Sequence, residues 1–554
     1  MKALICALNT KYVHSSLAPW CLKAGASMYA KDCECQIFEG TINEEYTNLL
    51  NRILNCDFDL IAFSTYIWNK PLVLKLAEGI SRVRNVKIAL GGPEVSYNIE
   101  NVYKEAPFVD YILSGEGEEP FGRLCSGENV ENIPGISYKK DNKIIKKPPH
   151  VSEIDPPSPY CDEYFQRLDK RIAYLETSRG CPYRCAFCLS GRCESVRFFD
   201  IDKAKENIIR LASSGTKTVK LVDRTFNADR KRARELFSFI MDNYGKNIPR
   251  DVCFHFEIEG TLLTSEDVEL LEKAPKGLFQ FEIGLQSFNE ETLRSINRRV
   301  ALDTLCRNIK KVIALGNIHV HIDLIAGLPY ENKESFENSF NKALMLKPQM
   351  LQFGFLKMLY GSDMREKWQD VYDFDKNPPY EVHSTPYLSK EELLLMHKVE
   401  DTFERVYNSK RFTSLCEYLH TVYDNPYRMY EELAIYLDSC ENNKTLDELT
   451  LNLYLFFQKS PYVCEEKLRD LLAYDRLTTN RMGTLPEFLK VKTPKIKETL
   501  NLLEESKDTK RKTGVKRAAT VLLTTKEFIY VDYTDIDPVK KTYEAKKIKL
   551  ESIF

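Results

Sequence analysis

Three cysteines in a turn-rich loop constrain this chain more than any other feature. The run Glu176-Thr-Ser-Arg-Gly-Cys-Pro-Tyr-Arg-Cys-Ala-Phe-Cys-Leu-Ser190 places Cys181, Cys185 and Cys188 at C-x3-C-x2-C spacing. Gly180 precedes the first cysteine and Pro182 follows it. A residue before proline is pushed out of the α region, so the segment reads as a loop and not as a helix face with cysteines at i, i+4 and i+7. A fully ligated four-iron cluster takes four cysteines, so three thiolates leave one iron open to chelate a small molecule. Cys193 is close enough in sequence to supply a fourth ligand, and the cluster would then be closed and structural. A zinc site usually pairs two short Cys/His clusters, and no second C-x2–4-C pair lies nearby.

The chain has 554 residues, beyond the ~250–300 at which one hydrophobic core stops growing, so several domains are expected. A formal net charge of −2 gives no global argument for nucleic acid or membrane. No run of ~20 apolar residues suggests a membrane span. Met1 to Leu8 is apolar, but the pattern breaks at Asn9-Thr-Lys and reads as a first strand, not a signal peptide. The cysteines are scattered and three sit in an oxygen-sensitive cluster loop, which points to a reduced cytoplasm.

Residues 1–135 alternate apolar runs with helical patterns. Strands are predicted at Lys2–Leu8, Cys35–Glu39, Leu60–Ser64, Lys87–Gly92 and Val109–Ser114. This is the pattern of a doubly wound α/β (Rossmann-like) domain, which binds ligands at the carboxyl ends of its strands. Those ends carry Thr10 and Tyr12, then Ser64 and Thr65, then Gly91-Gly92-Pro93-Glu94, then Gly115-Glu116-Gly117-Glu118. Residues 136–170 read as a linker, with a small hairpin turning at Asp141-Asn142 and proline-rich breaks after it.

From 171 to 375 strand and helix patterns alternate again, which predicts a partial, open (βα)6 barrel with its reactive groups at the C-terminal mouth. Asp223, Glu257 and Gln286 fall at strand ends. Glu259 shares a face with Glu257 at period two. His319 and His321 share a strand face and read as packing or substrate contacts. Arg298 and Arg299 read as solvated surface. Residues 376–554 are mostly helical, with a terminal hairpin turning at Thr524-Thr-Lys. Residues 490–517 hold ten Lys/Arg against four Asp/Glu. RNA contact through this stretch is conceivable, but it lacks a recognisable RNA module and reads as a solvated loop.

The cysteine loop resembles that of the radical S-adenosylmethionine (radical SAM) superfamily, both in its spacing and in the strand-like Ile172–Thr177 before it. The resemblance implies a [4Fe-4S] cluster whose open iron binds S-adenosylmethionine (SAM), with Phe187 against the adenine. One electron then cleaves SAM to a 5′-deoxyadenosyl radical. The G-G-P and G-E-G-E segments resemble the N-terminal cobalamin domain of class B radical SAM enzymes. The Asp-x-His-x-x-Gly motif that ligates cobalt from below is absent. His14 lies in the corresponding loop without that pattern and reads as structural. The resemblance also assigns Asp223 to the SAM amino group, although the usual Gly-Gly-Glu is missing there, one of Glu257 and Glu259 to the ribose and Gln286 to the adenine side. It implies C-methylation through methylcobalamin, an electron donor such as flavodoxin or ferredoxin, and a family-specific C-terminal domain that lids the barrel. A radical SAM oxidoreductase or thiolation enzyme without cobalamin is the alternative. Thiolation would need three further cysteines, and Cys6, Cys21, Cys33, Cys35 and Cys56 form no tight set in sequence. A nucleic-acid-binding protein with a structural cluster is the third reading.

Overall fold

The computed structural model describes residues 1–192, 195–481, 485–491, 496–500 and 517–549. The chain divides into two compact units, one of residues 1–282, 293–301 and 355–386, the other of 283–292, 302–354 and 387–554.

The first unit opens with a seven-stranded sheet. Its strands are β1 (Lys2–Asn9), β2 (Glu34–Thr41), β3 (Leu60–Ser64), β4 (Lys87–Gly91), β5 (Tyr111–Leu113), β6 (Ile136–Lys140) and β7 (Lys143–Ile145), in the order β2-β1-β3-β4-β5-β6-β7. The first five are parallel. β1 is buried at every residue after Lys2 and β3 along its whole length, as expected where helices cover both faces of a parallel sheet. The order reverses around β1, which lies between β2 and β3, and opens a crevice at the C-terminal strand ends. The crossing helices are α1 (Ala18–Tyr29), α2 (Tyr46–Leu54), α3 (Lys70–Val83), α4 (Pro93–Ser96), α5 (Ile99–Glu105) and α6 (Glu118–Cys125).

The β6–β7 hairpin turns at Asp141 and Asn142, with φ of 49° and 59°, the conformation of a type I′ turn. β6 pairs antiparallel with β5. The hairpin read as linker therefore completes the sheet, because β5 would otherwise leave an unpaired edge.

The same unit continues through α7 (Asp162–Leu168), β8 (Ala173–Leu175), β9 (Ser178–Arg179), β10 (Arg197–Phe198), α8 (Ile201–Ala212), β11 (Thr218–Leu221), α9 (Arg230–Asn243), β12 (Cys253–Glu257), α10 (Ser265–Glu272) and the start of β13 (Phe279–Gln286). β8, β11, β12 and β13 are parallel neighbours, half of the barrel wall. Phe226, Phe237, Phe256, Phe279 and Phe281 pack between α9 and this wall. α10 starts with a Thr264–Asp267 capping box.

The second unit holds α11 (Leu302–Leu315), β14 (His319–Ala326), α12 (Lys333–Leu344) and β15 (Met350–Phe355) together with the helical tail. The tail comprises α13 (Lys390–Phe403), α14 (Thr413–Val422), α15 (Pro426–Asp438), α16 (Leu446–Phe457) and α17 (Glu465–Thr479). Phe340 of α12 meets Phe353, Phe403 and Tyr427 at centroid distances of 5.8, 4.9 and 5.4 Å. This aromatic core fuses tail and barrel half into one body. α13 ends its α portion at Phe403 and continues as a π turn over Glu404–Asn408. The C-terminal hairpin forms from β16 (Arg517–Leu522) and β17 (Glu527–Ile536), and a third strand that the sequence reading missed, β18 (Tyr543–Lys549), joins it. Asp470 of α17 holds the hairpin turn, accepting from the Leu523 and Thr524 amides at 2.9 and 2.8 Å. Most of the basic 490–517 stretch, and Cys193, lie outside the described residues. No helix among the described residues is long and apolar enough to cross a membrane.

Candidate functional site

The cysteine loop follows directly on β9 and is non-helical through Cys188, as Gly180, with φ of 98°, and Pro182 require. Cys185 is buried, while Cys181 and Cys188 are half-buried. The loop is tied down along its length. The Ala186 amide donates to the Ile296 carbonyl and the Ala186 carbonyl accepts from the Met364 amide, both at 2.8 Å. Asn297 donates to the Arg184 carbonyl at 2.8 Å. Phe187 is half-buried in the same loop.

Two groups reach the sulfurs themselves. The Thr225 hydroxyl lies 3.3 Å from Cys181 Sγ, and Arg298 donates to Cys185 Sγ at 3.6 Å. Arg298 also donates to the buried Glu259 at 3.1 Å. Burial pushes the Cys185 thiol up, and the Arg298 charge opposes that shift. Arg298 is thus a partner of the cluster loop, not solvated surface. Its signal in sequence, an Arg-Arg pair in a loop, is indistinguishable from ordinary surface.

Asp223 is 1% exposed and accepts from the Thr177 amide at 3.0 Å, the Thr177 hydroxyl at 2.7 Å and the Ser178 hydroxyl. Burial raises its pKa against those three bonds. Its carboxylate is spent on the β8–β9 junction that presents the cysteine loop. Asn227, four residues on, exchanges two hydrogen bonds with the Glu259 backbone at 3.0 and 2.9 Å. Glu259 does not share a face with Glu257, because β12 ends at Glu257 and the period-two alternation stops with it.

Beside this loop a cavity of about 750 Å³ opens where the C-terminal strand ends of the seven-stranded sheet face those of β8, β11 and β12. Asn9, Thr10, Ser64, Gly91, Gly92 and Gly115 to Glu118 line one side, and Tyr174, Glu176, Arg179, Lys220, Val222, Arg224 and Glu257 the other. Asn69 joins the ends of β1 and β3, donating to the Leu8 and Ser64 carbonyls at 3.1 and 3.0 Å. Tyr66 and Trp68, both in the lining, stack at 4.5 Å with rings 5° apart. This flat aromatic platform carries no motif that sequence reading could use. His14 also lines the cavity. Its Nδ1 lies 2.8 Å from the Tyr174 hydroxyl, and burial lowers its pKa.

The strand-end glycines have a steric explanation. Gly92 and Gly115 have φ of 110° and 86°, and a Cβ on either would fall within 2.4 Å of a backbone oxygen, that of Thr65 or of His150. They let chain segments, and not only a ligand, approach closely. Thr65, Pro93, Glu94 and Tyr12 are not among the cavity's lining residues. Thr65 is fully buried. Pro93 opens α4. Glu94 is buried behind the cavity wall, and burial raises its pKa while Tyr380 and Lys70 oppose the shift. Tyr12 is exposed and donates to Asp169 at 2.7 Å.

Charge in the wall is paired. Arg179, at the end of β9, donates to Glu176 at 2.8–2.9 Å, to Glu116 at 2.7 Å and to Glu118 at 2.5 Å. Arg197 adds a second guanidinium on Glu116 at 2.7 Å. Burial alone would raise the Glu118 pKa, but Arg179 outweighs it and the net shift is downward. Glu257 pairs more loosely with Arg224, at 3.7 Å.

In the second unit Gln286 closes β13 with φ of 74°. It is 8% exposed and its side-chain oxygen accepts no hydrogen bond among the described residues. Such strain and lost hydrogen bonding concentrate at functional positions. Next to it, Ser287 and Ser339 donate to the buried Glu331 at 2.5 and 3.0 Å, and burial pushes the Glu331 pKa up to about 7.

The donor set fits the implied groups. Three thiolates in one anchored loop, with an N–H and a hydroxyl at two of the sulfurs, match a three-cysteine iron–sulfur site and its outer shell. The cavity, lined by both sets of strand ends with an aromatic platform, suits a large planar ligand.

Comparison with known proteins agrees. The radical SAM superfamily profile matches residues 175–343 and the B12 binding domain profile residues 5–125; a protein family of unknown function, DUF4080, matches residues 366–551. The cobalamin-dependent radical SAM methyltransferase TokK of Streptomyces tokunonensis is 28% identical over 318 residues, 52% of this chain and 45% of that protein. The anaerobic magnesium-protoporphyrin IX monomethyl ester cyclase of Rubrivivax gelatinosus is 24% identical over 402 residues, 68% of this chain and 69% of that protein. The chain spans about half the length of the first of these. The structure of the cobalamin-dependent SAM radical enzyme OxsB, with aqua-cobalamin and SAM bound, shares the fold at a TM-score of 0.57 and 15% identity, covering 92% of this chain and 82% of that one. The chain thus carries a B12-binding domain ahead of a radical SAM domain, a pairing that implies a [4Fe-4S] cluster, SAM and cobalamin as cofactors.

Proposed function

We propose that the protein transfers a methyl group to an unactivated substrate carbon in a cobalamin-dependent radical SAM reaction. The observation that carries this reading is the single cavity lined by both sets of strand ends. When bound, the cluster with SAM supplies a carbon-centred radical, and cobalamin supplies the methyl group. The similarity to TokK supports methyl transfer, and that to the cyclase marks ring closure as the competing outcome for the same pair of domains.

In this reading Cys181, Cys185 and Cys188 would hold the cluster and Phe187 would face the adenine. Ser64, Thr10 and the backbone at Gly91-Gly92 and Gly115-Glu116-Gly117 hold cobalamin. Arg179 and Asp223 are positioning residues. Arg179 fixes the cluster-loop strand to Glu116 and Glu118, and Asp223 fixes the turn before the loop. Glu257 is placed to meet ribose hydroxyls, and Gln286 the adenine side. Leu17, Leu22, Phe63 and Phe121 give the cavity an apolar wall that excludes water from a reactive radical. His14 lines the cavity with its Nδ1 held by the Tyr174 hydroxyl. A one-electron donor of the flavodoxin or ferredoxin type and a reduced, cytoplasmic setting complete the proposal. The DUF4080 segment is the natural place for substrate selection.

The test uses cofactor-loaded protein, SAM and a reductant without oxygen, and quantifies 5′-deoxyadenosine and S-adenosylhomocysteine across candidate substrates. Methyl transfer predicts that both rise together with substrate. Deoxyadenosine alone, with no methyl leaving SAM, rules out methyl transfer and leaves ring closure or the cobalamin-independent reading, which omission of cobalamin from the assay separates. Replacing Cys193 separates the structural-cluster reading, since a SAM-binding cluster survives its loss.

A further inference from the structure

The first unit gathers a second set of three cysteines, away from the cavity. Cys33 and Cys35 stand at the N-terminal end of β2, and Cys125 closes the C-terminal end of α6. Their sulfurs all lie within 4.8 Å of one another, and Cys33 and Cys35 Sγ are 4.0 Å apart. The cavity is lined from the opposite end of α6, through Gly117 and Glu118 at its start. Cys181, Cys185 and Cys188 do not form such a tight group among the described residues.

The trio is assembled by helix packing. A Cβ on Gly122 of α6 would fall 2.6 Å from the Gly25 oxygen of α1. The missing side chain lets α6 lie directly on α1, which brings Cys125 over the short loop that leads from α1 into β2. Core packing would bury all three thiols, yet Cys33 and Cys35 are half-exposed and only Cys125 is buried. Their spacing suits one ion. Metal–sulfur bonds of about 2.3 Å set neighbouring sulfurs about 3.8 Å apart in a tetrahedron and about 4.0 Å apart in a trigonal plane. A cluster would need the sulfurs spread over separate irons. Three thiolates without carboxylate or imidazole select a soft cation.

We propose that Cys33, Cys35 and Cys125 bind one soft, thiophilic metal ion of the zinc class, which pins the C-terminal end of α6 to the start of β2. Binding displaces the three thiol protons, and solvent fills any fourth position. The site is structural and independent of the reaction proposed above.

The test uses full-length protein with its iron–sulfur cluster reconstituted, so that Cys181, Cys185 and Cys188 are occupied. Zn2+ is added without oxygen, free metal is removed with a mild chelator, and zinc and iron per chain are measured. The proposal predicts one zinc per chain in the wild type, a loss of at least tenfold in Zn2+ affinity in Cys33→Ser and in Cys125→Ser, and unchanged iron in both. Zn2+ should also raise the Tm of the wild type and of neither variant. Cys33 is half-exposed, so its replacement tests the site even if Cys125→Ser folds poorly. Equal zinc in wild type and variants, no retained zinc, or a Cys33–Cys35 disulfide in protein purified without oxygen would each overturn the proposal.

Discussion

Cys181, Cys185 and Cys188 lie within one eight-residue stretch, whereas Cys33 and Cys35 meet Cys125 only because α6 folds onto α1. The first trio sits in an irregular loop whose shape is set by Gly180, Pro182 and the bonds to Asn297 and Met364. The second sits on the ends of regular elements and depends on a close helix crossing. The first has outside groups at its sulfurs, Thr225 and Arg298. The second has its own sulfurs as near neighbours. Three sulfurs that converge on one point suit a single ion, whereas three cysteines in an irregular loop with outside groups at two of the sulfurs suit a cluster whose irons each take one thiolate.

The largest effect expected is from removing a loop cysteine. Cys185→Ala should reduce cluster iron to background and abolish SAM cleavage, while Cys125→Ser leaves both intact. If the two behave alike, the distinction between the trios fails. Arg179→Ala comes next. It leaves Glu116, Glu118 and Glu176 without the charge they share, and breaking a buried ion pair costs about 3–5 kcal/mol. Thermal unfolding should report that loss, and cobalamin retention should fall with it, because Arg179 joins the cluster-loop strand to α6. Arg298→Ala should be milder, at about 10–100-fold in cluster affinity or activity, the scale of an outer-shell ligand partner. A shifted cluster reduction potential would distinguish contact with Cys185 from a merely structural role.

The smallest prediction is a control in the other unit, remote from both trios in sequence. Glu331 has a folded pKa raised to about 7, so the folded state binds more protons than the unfolded one between the ordinary glutamate range and that value. Stability should fall as pH rises through that window, by up to about 1.4 kcal/mol per pH unit, and level off above it. Glu331→Gln should flatten the profile of Tm against pH. Cys125→Ser should leave it unchanged.

Much of this was legible in sequence. The C-x3-C-x2-C loop and the five parallel strands are local patterns, and local patterns determine them. The strand-end residues divided. Thr10, Ser64, Gly91, Gly92, Gly115 to Glu118 and Glu257 do line the cavity. Asp223 turned inward to hold Thr177 and Ser178, since a carboxylate next to unpaired amide and hydroxyl donors is satisfied there first. Arg298 was read as surface because burial is set by what folds over a residue. The meeting of Cys33, Cys35 and Cys125 was missed for the same reason. The β6–β7 hairpin reads as linker in sequence, since sequence shows a hairpin's turn and not the strand it pairs with.

The most direct test of the central claim is cobalamin stoichiometry. The full chain is reconstituted without oxygen with iron, sulfide and hydroxocobalamin, desalted, and assayed for cobalamin and iron per chain. A cavity built to hold cobalamin beside the cluster predicts close to one cobalamin per chain with about four irons. A full cluster with no retained cobalamin would contradict it.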